Sequence, residues 1–180
     1  MKKNIVLCGF MGSGKTTVGT LLAERLSARF FDTDQLIEQA MGFTVPEIFD
    51  KLGEPRFRAA ETAAIRKLAE KSWFVAALGG GAICDHKNVR VLKKTGVLVY
   101  LRVSLATALR RISGGEGRPL ALKGREETER LFWERQPVYE AAADIAINAD
   151  GEAGQVAEEV LYALRERCGS EITLKGEERA

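Results

Sequence analysis

Gly9-Phe10-Met11-Gly12-Ser13-Gly14-Lys15-Thr16 decides how this 180-residue chain is read. It fits the pattern G-x-x-x-x-G-K-[ST], in which bare backbone N–H groups turn inward around phosphates. Gly12, Ser13 and Gly14 supply that backbone, Lys15 a positive charge for the β- and γ-phosphates, and the Thr16 hydroxyl a ligand for Mg²⁺, with Thr17 beside it. Residues 5–8, just before the loop, are an apolar run of strand length. Just after it, Val18, Leu21, Leu22 and Leu26 repeat on one face of a helix predicted over 16–28. That helix points its positive dipole end at the same anion. Met1-Lys2-Lys3 and the apolar run behind them imitate a signal peptide, but the run stops at Gly9, too short for one, and is the first strand instead.

Outward from the loop, short apolar runs alternate with helical patterns. Strands are predicted to end at Phe30-Phe31 and to span 73–78, 97–103 and 144–147. Helices are predicted over 34–41 with Thr33 as N-cap, from a capping box at Thr44-Val45-Pro46-Glu47 to Gly53, and from about 55 to 71. Further helices are expected near 86–94, 105–112, 125–142 and 153–167, with Pro137 kinking or ending one turn. Five strands apolar on both faces and alternating with helices predict an α/β fold: a mostly parallel five-stranded sheet between two helical layers. One domain over 1–168 follows, with a glycine-rich loop near 112–124 and a polar, frayed tail over 169–180.

Composition narrows the function. Hydrophobic residues make up 46% and charged residues 29%, ordinary values for a globular chain. About 70% of the unfolded surface can be buried at this length, enough for one core. Lys+Arg 27 against Asp+Glu 25 leaves a net charge of +2, without the basic excess of a nucleic-acid binder. No run approaches the roughly 20 apolar residues of a membrane span. Cys8, Cys84 and Cys168 are too few and too far apart for a disulfide framework or a zinc site, which fits a reduced, cytoplasmic setting. A lone histidine, His86, argues against a catalytic triad. No exposed heptad or apolar surface run argues for an oligomer, so a monomer is expected.

Four further groups bear on a second substrate. Asp32-Thr33-Asp34 follows the second strand, and in extended backbone residues i and i+2 face one side. Both carboxylates would then face one cleft, one holding Mg²⁺ through water and the other acting on a hydroxyl proton; a helix N-cap with a spare acid is the alternative. Gly79-Gly80-Gly81 exposes bare backbone for a close approach, or forms a flexible turn. Arg58 and Arg135 would suit a small carboxylate if they converge. Arg58, however, also lies at helical spacing from Glu54 and Glu61, the pattern of a surface ion-pair stripe, and Arg135 could be solvated. Arg118 closes the glycine-rich loop, as a lid arginine over transferring charge or as an incidental one. Arg110 and Arg111 end a helix, where cations are common in any case. Trp73 and Trp133 read as packing residues.

Together the phosphate loop, Asp32-Thr33-Asp34, Ile48-Phe49-x-x-x-Gly53-Glu54-x-x-Phe57-Arg58, Gly79-Gly80-Gly81-Ala82, Arg118-Pro119-Leu120 and Arg135-x-x-x-Tyr139 resemble the shikimate kinase family from about residue 4 to 165. The resemblance implies a P-loop kinase fold with a mobile lid, related to nucleoside monophosphate kinases. It also implies Mg²⁺-dependent transfer of the ATP γ-phosphoryl group to the 3-hydroxyl of shikimate, a step of chorismate and aromatic amino-acid synthesis. By the same resemblance Lys15 contacts phosphates, Thr16 holds Mg²⁺ with Asp32 near it through water, and Asp34 is the base. Arg58 and Arg135 hold the substrate carboxylate, Gly80 and Gly81 line its site, Arg118 is the lid arginine and Arg110 stacks on adenine. The lid departs from the family's Arg-Pro-Leu-Leu at Ala121, and 148–151 fits the family's adenine loop only loosely. A gluconate-type kinase and a non-catalytic nucleotide switch are the rival readings.

Overall fold

The computed structural model describes residues 3–113 and 124–169. Five strands, β1 (Asn4–Cys8), β2 (Arg29–Asp32), β3 (Phe74–Ala77), β4 (Gly96–Arg102) and β5 (Ile145–Asn148), form one sheet in the order β2-β3-β1-β4-β5. All four pairings are parallel, with Ile5 opposite Val75 on one side and Val97 on the other. Every residue of β1 and β3 is buried. Such strands need cover on both faces, as their unbroken apolar runs predict. The edge strands β2 and β5 are only partly buried.

The helices are α1 (Lys15–Arg25), α2 (Thr33–Met41), α3 (Val45–Ala69), α4 (His86–Thr95), α5 (Leu105–Ser113), α6 (Arg125–Ala142) and α7 (Ala153–Cys168). α1 packs with α7, and α3 packs with α4. The capping box at Thr44 and Glu47 is formed, and two helical stretches join as α3 across a kink at Gly53. The main core surrounds the sheet. A second, smaller cluster of Ile37, Ile48 and Phe57 ties α2 to α3, with the Phe49 and Phe57 rings 4.7 Å apart.

From β1 the chain passes over β3 to reach the edge at β2, and after β3 it continues on the other side of β1. The switch therefore lies between the carboxyl ends of β1 and β3, where open α/β sheets bind ligands. The phosphate loop leaves β1 there and Gly79-Gly80-Gly81 leaves β3.

Three local expectations change. Asp32, not Thr33, caps α2: its Oδ1 accepts from the backbone N–H of Asp34 at 3.0 Å and of Gln35 at 3.5 Å. Thr33 lies inside the helix, and its hydroxyl accepts from the N–H of Gly79 at 2.8 Å, tying α2 to the exit of β3. α6 runs through Pro137 to Ala142, held by the burial of Phe132, Tyr139 and Ala142 on both sides of the proline. Trp133, expected to pack, is 58% exposed and meets the edge of Phe132 at 5.2 Å. The expected lid, apart from its ends, and the tail beyond Gly169 lie outside the described residues, and Arg118 lies there with the lid.

Candidate active site

The phosphate loop folds around its own lysine. Lys15 Nζ donates to the carbonyls of Gly9 and Phe10, both at 2.9 Å, and to Ser13 Oγ at 3.4 Å. Gly14 opens α1 in the left-handed region, at φ 85°, with no side-chain cap on the helix. A residue with a side chain would be strained there. The first-turn N–H groups are thus left to face an anion. Beside them a cavity of about 510 Å³ is lined by Ser13, Gly14, Thr17, Arg110, Arg111 and the turn 149–153. Its size suits a nucleoside next to the phosphate cradle. Arg110, the residue expected to stack on adenine, lines this cavity. Arg111, to which no role was given, makes the more extensive contacts, spanning from Gly12 to residues 149–151.

Thr16 Oγ1 donates to Asp32 Oδ2 at 3.0 Å. Asp32 therefore caps α2 with one oxygen and meets the phosphate loop with the other. A hydroxyl and a carboxylate are hard oxygen donors of the kind Mg²⁺ takes, so the residues present fit that ion. Asp34 does not share this orientation. The backbone changes from strand to helix at Thr33, which breaks the i, i+2 alternation and turns Asp34 toward Gly79. A methyl group on Gly79 would sit 2.5 Å from Asp34 Oδ1 and 3.1 Å from Glu61 Oε1. The bare backbone there makes room for two acids.

Arg58 and Arg135 converge. Both line a second cavity of about 320 Å³, together with Glu54, Glu61, Gly81 and Asn88. Arg58 also forms the ion-pair stripe: Nε and Nη2 donate to Glu54 Oε1, each at 3.1 Å, and Nη1 donates to Glu61 Oε2 at 2.9 Å. Burial works against the guanidinium charge, but the two carboxylates outweigh it and raise the Arg58 pKa. Gly81 is packed under that guanidinium, where a methyl would lie 2.5 Å from Nη1. Arg135 Nη1 approaches Gly80, whose carbonyl accepts from Tyr139 Oη at 2.6 Å. Burial raises the Tyr139 phenol, keeping it a neutral donor to that carbonyl.

Glu61 is the acid that the sequence showed only as a neighbour of Arg58. It is 1% exposed, and its Oε1 is buried with no hydrogen-bond partner among the described residues. Burial raises its pKa, Arg58 opposes the rise, and the carboxylate of Asp34 adds to it. No spacing rule marks it, because its depth depends on how α3 packs.

A phosphate cradle on one side of the switch point, a nucleoside-sized cavity behind it and an acid-and-arginine pocket across from it define a P-loop phosphoryl transferase acting on a small acceptor. The family model for shikimate kinase matches residues 11–165. The chain belongs to the shikimate kinase family. The shikimate kinase of Moorella thermoacetica is 46% identical over 168 residues, covering 92% of this chain and 96% of that one. That of Caldanaerobacter subterraneus is 44% identical over 176 residues, covering 97% and 99%. Among solved structures, shikimate kinase from Acinetobacter baumannii in complex with shikimate superposes with a TM-score of 0.87 at 37% identity, covering 94% of this chain and 96% of that one. A gluconokinase from Sinorhizobium meliloti, at 16% identity and a TM-score of 0.59, shares the fold alone.

Proposed function

We propose that this chain, a kinase that phosphorylates shikimate with ATP, transfers the γ-phosphoryl group to the 3-hydroxyl, giving shikimate 3-phosphate and ADP. The observation that carries the acceptor assignment is the convergence of Arg58 and Arg135 on one cavity beside Gly79-Gly80-Gly81. Two guanidinium groups suit one carboxylate, for which a non-catalytic switch gives no reason; gluconate is a carboxylate too, and the family match is what favours shikimate over it.

Lys15 and the N–H groups of the phosphate loop bind and orient the triphosphate. Thr16 and Asp32 would hold Mg²⁺, which when bound offsets charge on the phosphate oxygens. Arg58 and Arg135 fix the acid end of the acceptor, which sets its hydroxyl toward Asp34 and the loop. The hydroxyl oxygen forms the new bond to γ-phosphorus as the bond to the β–γ bridging oxygen breaks. ADP leaves with that electron pair, and Asp34 takes the hydroxyl proton. Arg118, outside the described residues, is assigned by resemblance to the phosphates. A cytoplasmic monomer completes the proposal; the three cysteines are free, and no described helix is long and apolar enough to cross a membrane.

The test is ADP release from ATP and Mg²⁺ with shikimate and, in parallel, with gluconate. Release that depends on shikimate and is absent with gluconate is expected. Release with gluconate alone would overturn the acceptor assignment, and release with neither would move the chain to another acceptor.

A further inference from the structure

The hydrogen-bond ladder of β3 runs out at the glycine turn. Backbone N–H groups of successive strand residues point to opposite neighbours. The N–H of Leu78 still reaches the β1 side and donates to the Leu7 carbonyl at 3.0 Å. That of Gly79 points to the β2 side, where β2 has ended at Asp32 and the chain has turned into α2. The Thr33 hydroxyl stands in for the missing strand carbonyl and accepts from Gly79 at 2.8 Å. Both residues are buried, and a buried N–H needs its partner. The next residue, Asp34, lies against the same glycine, where a methyl would sit 2.5 Å from Asp34 Oδ1. The rest of the turn is anchored elsewhere. The Gly79 carbonyl accepts from the N–H of Ala82 at 3.0 Å, and the Gly80 carbonyl accepts from Tyr139 Oη at 2.6 Å.

We infer that Thr33 is a positioning residue for phosphoryl transfer: its hydroxyl pins the exit of β3 to the start of α2, which fixes the Asp34 carboxylate against the glycine turn. The inference rests on Asp34 as the base. One bond has this reach because Thr33 and Asp34 are neighbours in the first turn of α2, so a shift of one carries the other. Valine matches threonine in shape but cannot accept, and would leave the buried N–H of Gly79 unmet. The turn and the helix start then move apart, and Asp34 no longer meets the acceptor hydroxyl in the geometry that transfer needs. The phosphate loop is untouched, because the bonds of Lys15 and the bond from Thr16 to Asp32 do not involve Thr33.

The test measures shikimate-dependent ADP release by Thr33→Val, Thr33→Ala and Thr33→Ser, and by Thr33→Val and Thr33→Ala combined with Asp34→Asn, with single-turnover rates where turnover is slow. In Thr33→Val kcat is expected to fall about 5- to 100-fold, the span that one unmet buried donor sets, while the KM for ATP holds. Thr33→Ser keeps the oxygen and should restore kcat to within about threefold of the parent. Thr33→Ala differs from Thr33→Ser by that oxygen alone, so the pair carries the test if the valine variant folds poorly. With Asp34→Asn already present, the Thr33 substitutions should cost almost nothing more, because the hydroxyl acts through that carboxylate. Normal kcat in Thr33→Val or Thr33→Ala would overturn the inference. So would a serine variant as slow as the alanine one, since packing rather than the hydroxyl would then be at work. A loss that persists in full beside Asp34→Asn, or an equal rise in the KM for ATP, would make Thr33 a general structural residue. Normal turnover by Asp34→Asn alone would overturn the base reading and the inference with it, whereas normal turnover by the Thr33 variants overturns the inference alone.

Discussion

The two ends of the active site are built from different materials. The nucleotide end is backbone: N–H groups at the start of α1, and carbonyls that hold Lys15 and Arg111 in place. The acceptor end is side chain: Arg58 is bonded to Glu54 and Glu61, Asp34 and Glu61 lie close to Gly79, and Arg135 approaches Gly80. Even the apolar support differs, for the loop rests on the main core while α2 and α3 share a cluster of three buried residues. A backbone cradle recognises phosphate through N–H groups that every residue but proline carries. A pocket of charged side chains chooses its acceptor, and each substitution there should be felt separately. Changes at the acceptor end should therefore alter turnover or shikimate affinity and leave ATP binding in place.

Asp34→Asn is the most severe test of that separation. The amide cannot take a proton, so kcat should fall about 10²- to 10⁴-fold while ATP still binds. Single-turnover rates and ATP binding by calorimetry would check it. Turnover near normal would remove Asp34 from the base role, and lost ATP binding would show that the two ends are not separate.

Arg58→Ala comes next. Losing one partner of a charge-assisted pair costs about 2–5 kcal/mol, or roughly 30- to 5,000-fold in the KM for shikimate. The variant should also lose stability, because Glu61 keeps its place without its ion pair. That loss should fall short of the 3–5 kcal/mol or so for a fully buried pair, since the Arg58 side chain is 34% exposed. Arg135→Ala should match the KM defect with less change in Tm. If both variants bind shikimate normally, the carboxylate assignment fails.

The same contrast explains what the sequence revealed. The phosphate loop is eight consecutive residues, so its chemistry could be read before any fold was known. The strands were legible because burial on both faces leaves unbroken apolar runs. The acceptor pocket gathers residues from α2, α3, the turn after β3 and α6, and only resemblance to a family linked them in advance. Asp32 and Asp34 show the limit of a local rule: alternation holds within a strand, and the helix begins between them. Arg58 forms the ion-pair stripe that its spacing predicted and also edges the cavity that it shares with Arg135. Glu61 and Arg111 escaped because a buried acid and a carbonyl-binding arginine look, in sequence, like surface residues of helices.

Gly81→Ala should act more gently. The added methyl would lie 2.5–2.9 Å from the Arg58 guanidinium atoms. Those atoms end a flexible side chain and can move, so Tm should change little. The movement misplaces the charge, and a shift worth about 1.4 kcal/mol would raise the KM for shikimate tenfold. An unchanged KM would mean that Arg58 is not held where the acceptor needs it.

The smallest expected effect concerns the buried acid itself. Burial raises the pKa of Glu61 above its ordinary 4.5, against the pull of Arg58 and with a further push from Asp34. Between 4.5 and that raised value the folded protein keeps a proton that the unfolded chain has already lost. Unfolding then releases a proton, so this group makes the fold less stable as pH rises through the window, and the loss is complete above the native value. Glutamine cannot titrate. The stability of Glu61→Gln relative to the parent should therefore climb as pH increases from 4.5 and then level off, whatever constant offset the broken bond to Arg58 introduces. Thermal unfolding of both proteins in steps from pH 4.5 to neutrality would show it. Parallel curves would mean that Glu61 titrates alike in both states, and that the acceptor end holds its buried carboxylate ionised at no cost to the fold.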